Sequence, residues 1–143
     1  MFLIRLVVVT VIFGCGFLGA NAWGQDFWTT TPRYGGGYNV WGPQGQMSTV
    51  TPRYGGGFNV WGDNGYSATA TPRYGGGYNI SDLQGNSTTV TPLYGGGYTT
   101  WGNDGSFSTA TPRYGGGYNV WNSQGRNTTI TPRYGGGSTI RRW

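Results

Sequence analysis

The sequence predicts an all-β protein: six units of a 20-residue repeat, arranged as an antiparallel hairpin meander, with a β-solenoid as the alternative. Three observations carry this. Thr-Pro-Arg-Tyr-Gly-Gly-Gly begins at Thr31, Thr51, Thr71, Thr111 and Thr131, and Thr91 opens the same heptad with Leu93 in place of Arg. The spacing is 20 residues throughout, with no insertion. Each unit holds two short runs of β-branched and aromatic residues bounded by Gly or Pro, and none of these runs reaches helical length.

Within a unit, Tyr38-Asn39-Val40-Trp41 reads as one strand and Ser48-Thr49-Val50-Thr51 as the next. Alternation places Tyr38 and Val40 on one face and Asn39 and Trp41 on the other. Gly42-Pro43-Gln44-Gly45 and its counterparts read as four-residue turns, whose last Gly suits a left-handed backbone. Pro52 marks a strand end, because it has no amide to donate. Tight turns favour the meander, open or closed into a ring. Identical side chains at period 20 favour the parallel stacking of a solenoid. In an open array the two end strands are free to pair with other copies.

Leu, Ile, Val and Phe supply only 13 of residues 23–143. The missing apolar area must come from 18 Tyr and Trp in the same stretch, each able to bury about 150–250 Å². The net charge of that stretch is +4, from eight Arg against four Asp.

Residues 1–22 read as a secretory signal peptide: Arg5, an apolar run, then Ala20-Asn21-Ala22 as the cleavage site. The run is shorter than the ~20 residues a membrane span needs, so contact with a membrane is expected only through this cleaved segment. Residues 23–143 form the β-repeat domain. The expected location is secreted, periplasmic or extracellular. No disulfide is expected, because Cys15 falls in the signal peptide.

The chain has no His, Lys or Glu. General-base, nucleophilic and metal-ligand chemistry therefore lose most of their side chains. No catalytic residue, cofactor or metal site is expected. Asp63-Asn64-Gly65 and Asn103-Asp104-Gly105 offer one carboxylate each, too few for a calcium loop, and read as turns. Tyr-Gly-Gly-Gly is not a phosphate loop, which needs a Lys entering a helix.

Two repeated columns are candidate ligand-binding residues. Arg33, Arg53, Arg73, Arg113 and Arg133 form a cationic row beside the heptad tyrosines. Trp41, Trp61, Trp101 and Trp121 form a second, aromatic column suited to sugar stacking. The simplest role for each Arg is to stack on its own Tyr. The expected function is that of an exported structural or adhesive repeat protein of the cell surface or matrix. The alternative is a carbohydrate-binding module that uses the Trp and Tyr platforms and the Arg row. Expected partners are other copies of the chain or a cell-surface polysaccharide, and no intracellular nucleic acid. The unit holding Ser81-Asp82 and Leu93 departs most from the pattern. Restoring Trp-Gly at 81–82 is expected to stabilise the array if the Trp column is buried.

Overall fold

The computed structural model describes residues 27–63 and 65–143. Residues 1–22, expected to be a signal peptide, and the expected cleavage site lie outside the described residues. The strands are β1 Phe27–Pro32, β2 Tyr38–Trp41, β3 Met47–Pro52, β4 Phe58–Gly62, β5 Ser67–Pro72 and β6 Tyr78–Asp82. They continue as β7 Ser87–Pro92, β8 Tyr98–Gly102, β9 Phe107–Pro112, β10 Tyr118–Asn122, β11 Asn127–Pro132 and β12 Ser138–Arg142. β1 to β11 each end where the sequence places a turn or a proline. The last Gly of every short turn has positive φ, from Gly45 at +76° to Gly125 at +74°.

Consecutive strands pair antiparallel, and β12 pairs with β1, so the meander closes into a twelve-stranded barrel. The parallel stacking of a solenoid does not occur. At the seam Ser138 faces Thr30, the register that Tyr38 and Val50 adopt one repeat later. The seam is thus a repeat junction like the others. Closure leaves no unpaired strand edge among these strands, so the edge-to-edge association expected of an open meander has nowhere to start.

The registers also fix the barrel's shape. A hydrogen-bonded row runs from Thr30 to Val40 to Ser48, 18 residues on where the repeat has 20. The rows slip two residues per repeat and twelve around the barrel, so the shear equals the number of strands. That ratio is the one that tilts the strands of an eight-stranded barrel by about 36°. With strands about 4.8 Å apart, the barrel is roughly 22 Å across.

A barrel of this width tends to enclose a channel, but this one is packed. Residues 20 apart lie at one height, so the interior is a stack of six-membered rings. One ring holds Tyr38, Phe58, Tyr78, Tyr98 and Tyr118, with Ser138 sixth. Phe58 and Tyr78 stand 5.9 Å apart between ring centroids and Tyr98 and Tyr118 6.3 Å. These long side chains reach inward and close over the smaller rings of Val40, Val60 and Ile80 and of Val50, Val90 and Ile130, all buried. Burial raises the pKa of the Tyr98 and Tyr118 phenols, helped by the neighbouring inward tyrosine. Further along, Trp28 fills the far end against Gly42, where a side chain would strike the indole. Three interior hydroxyls are satisfied locally: Thr100 and Ser108 bond each other at 2.6 Å, and Thr30 accepts from the Ser138 amide at 2.7 Å.

The strands have 4–6 residues, about half of what a membrane-crossing strand needs. Their outward positions carry Thr, Asn and Trp in place of an apolar band.

Candidate functional site

The barrel has two unlike rims. One carries the short turns such as Gly62–Tyr66, closed by a bond from the Gly62 amide to the Tyr66 carbonyl at 2.8 Å. The other carries six copies of the Arg-Tyr-Gly-Gly-Gly loop, with Leu replacing Arg in the fourth.

The loop's construction explains most of its letters. The Gly36 amide donates to the Arg33 carbonyl at 3.1 Å, closing a tight turn whose third residue, Gly35, has φ +85°. Positive φ at that place selects Gly. Gly37 lies against the next repeat: a methyl there would be driven into the Val50 carbonyl and would stand 3.2 Å from the Pro52 ring. The same Gly-on-Pro contact recurs from Gly57 to Pro72, Gly77 to Pro92, Gly97 to Pro112 and Gly117 to Pro132, and Gly137 meets Pro32 across the seam. Pro and the last Gly of the heptad thus interlock neighbouring hairpins all around this rim.

Arginine has a place too. The Arg73 guanidinium donates to Thr91 Oγ1 at 3.1 Å, and Arg113 to Thr131 Oγ1 at 3.4 Å. Each head lies over the outer wall at the foot of the following loop. The expected stacking of each Arg on its own Tyr does not occur. Tyr34, Tyr54, Tyr74, Tyr94, Tyr114 and Tyr134 are 107–109% exposed, as open as in an unfolded chain, and no guanidinium covers them. The loop's backbone geometry explains why: the tyrosine occupies the second place of the turn, pointing away from the barrel.

The five candidate arginines sit on the tyrosine rim, while Trp41, Trp61, Trp101 and Trp121 sit on the outer wall near the other rim. Trp41 pairs with Thr29, three residues below the level of Pro32 and Tyr38, or about 10 Å along the wall. The barrel does not bring the Arg row and the Trp column into one site. The Trp residues are 45–58% exposed and lean on wall neighbours, as Trp101 does on Phe107 with centroids 4.4 Å apart.

The carboxylates Asp63, Asp82 and Asp104 all lie in the short turns of the opposite rim, where they order the backbone. Asp63 accepts from the Met47 amide at 3.0 Å. Asp82 accepts from the amides of Gln84 and Asn86 and from the Asn86 side chain. Hydrogen bonds from Ser106 hold the Asp104 carboxyl below its usual pKa. No group of three or more metal-ligating side chains occurs among the described residues.

The Trp column is half-exposed, so the condition for a gain in the irregular unit is not met, and the bonds of Asp82 weigh against one. Ser81 belongs to a half-exposed column, so Ser81→Trp alone should stabilise the barrel by only about 1 kcal/mol. Adding Asp82→Gly should cancel that gain. It removes three hydrogen bonds, together worth about 1–2 kcal/mol, and frees the unfolded backbone. Urea midpoints of the single and double variants check this. A double variant more stable than Ser81→Trp would contradict it.

The sequence names Tyr among the platforms of the carbohydrate-binding alternative, but only the Arg row and the Trp column stand as candidate residues there. A signal is present: four of the six repeats carry two Tyr four residues apart, and only the Tyr38 column alternates with an apolar strand residue. The Tyr34 column falls in a turn with no packing need for an aromatic. Comparison with protein-family models, curated proteins and solved structures finds no match to this chain.

Proposed function

We propose that this chain is an exported, non-catalytic adhesion module of the cell surface or extracellular matrix, and that its tyrosine rim binds carbohydrate polymers. The observation that carries the reading is the Tyr34 column. It recurs in all six units, yet none of its rings is covered by the protein. The proline and the glycines of the heptad, by contrast, have structural tasks in the turn and the rim interlock. Six exposed aromatics on one face are a solubility liability unless the face is used. Tyr rings serve such faces well, because they offer apolar area and a hydroxyl at little entropic cost.

The supporting geometry is multivalence. Six equal stations stand around the rim, neighbours about 11 Å apart from the barrel's width. Weak contacts to single sugars add when one polymer spans several stations. The described termini, Phe27 and Trp143, lie at the opposite rim, so the tyrosine face points away from them. The test is a glycan array probed with residues 23–143, alongside sedimentation of the same sample. Retention of the monomeric barrel on one class of polysaccharide is expected. Failure to bind any glycan, with assembly into fibres, would overturn the reading in favour of a purely structural role.

A further inference from the structure

We infer that the rim's ligand is an acidic polysaccharide, bound along a continuous arc of five arginines that exists only because the barrel closes. The inference rests on the tyrosine rim being the binding face. In the sequence the heptad arginines are split by Leu93 into a group of three and a group of two. Pairing of β1 with β12 sets the last loop beside the first. Arg113, Arg133, Arg33, Arg53 and Arg73 then occupy five consecutive loops, and Leu93 is the one gap. Arg33 stands at the middle of the arc, opposite Leu93.

Charge selects the ligand class. The described Asp residues are all at the other rim, so no described side-chain carboxylate neutralises the arc. The bond from Arg73 to Thr91, repeated by Arg113 and Thr131, uses one of the five guanidinium donors. It holds the head at the foot of the next loop with the rest of the fork available for a carboxylate or sulfate. At these two loops the guanidinium thus stands between one rim phenol and the next. A polymer alternating acidic and neutral sugars matches that order: the acid meets Arg and a sugar face meets Tyr. A stacked nucleic acid strand fits less well, because its bases follow at about 3.4 Å while the tyrosines stand about 11 Å apart.

The probe is a long hyaluronan oligosaccharide, one carboxylate per disaccharide, titrated against the barrel and its variants at rising salt. Dextran serves as the neutral control and oligo-dT as the nucleic acid control. Binding to hyaluronan should weaken several-fold between ~0.1 M and ~1 M salt, as the screening length falls from about 10 Å to about 3 Å. Arg33→Gln divides the arc and should weaken binding about tenfold, whereas Arg73→Gln or Arg113→Gln shortens it and should cost about threefold. Leu93→Arg closes the ring and should strengthen binding. Circular dichroism midpoints, expected to be unchanged, show that the variants fold.

Equal losses at Arg33, Arg73 and Arg113 would overturn the arc. Salt-insensitive binding of dextran as tight as that of hyaluronan would overturn the acidic ligand and leave the carbohydrate function standing. Tighter binding of oligo-dT would overturn it in favour of nucleic acid. Absence of binding to either polysaccharide would remove the inference together with the reading beneath it.

Discussion

Gly57→Ala should cost the barrel more than about 3 kcal/mol, a large part of the 5–15 kcal/mol that holds a typical domain together. Gly57 has φ +80°, and its Cβ would enter the Ala70 carbonyl and stand 3.1 Å from Pro72. The obstacle is backbone of the neighbouring strand, so no rotamer relieves it. Either β5 moves away from β4, breaking the rim interlock, or the loop abandons its turn. Gly55→Ala is the control. Its φ is +84°, but nothing lies within 4 Å of the added methyl, so only the left-handed penalty of about 1–2 kcal/mol applies. Urea unfolding separates the two, with a shift in midpoint at unchanged slope reporting stability alone. Equal losses at the two positions would contradict the interlock.

How far the sequence spoke is best seen in single residues. Alternation in Tyr38-Asn39-Val40-Trp41 puts Tyr38 and Val40 on one face and Asn39 and Trp41 on the other, because side chains on a strand must alternate; which face is buried, with Tyr38 and Val40 inside, comes from the closed barrel. Pro52 ended β3, and Gly45 took positive φ, for equally local reasons. Closure was not legible. Turn centres average ten residues apart, but the registers set them alternately nine and eleven apart, near positions 35, 44 and 55. That small inequality creates the two-residue slip per repeat, hence the tilt and the number of hairpins that close a barrel. It depends on backbone geometry in the turns, which composition does not reveal. Closure in turn joined the arginines across the seam, while the hairpin register set the Arg and Trp columns at different heights and the turn left the tyrosines without cover.

Changing all six rim tyrosines, Tyr34, Tyr54, Tyr74, Tyr94, Tyr114 and Tyr134, to serine should abolish carbohydrate binding while leaving the unfolding midpoint essentially where it was. The two halves of this result have separate causes. Residues that touch nothing contribute little to the folded state, and surface changes of this kind usually stay within about 0.5 kcal/mol each. Binding summed over several stations falls multiplicatively as stations are lost, so a loss of a hundredfold or more is expected. The same treatment of the Tyr38 column would do the reverse and empty the core, at about 3–5 kcal/mol for each large aromatic removed.

The central claim is that the fold and the binding face use different tyrosines of the same repeat. It is tested most directly by NMR of ring-labelled tyrosine and tryptophan in the folded barrel, titrated with the polysaccharide that binds. The expected result is that resonances of the six rim tyrosines shift together with saturation, while those of Tyr38, Tyr98, Tyr118 and the wall tryptophans stay in place. Shifts confined to Trp41, Trp61, Trp101 and Trp121, with the rim tyrosines unmoved, would contradict the claim and place binding on the outer wall.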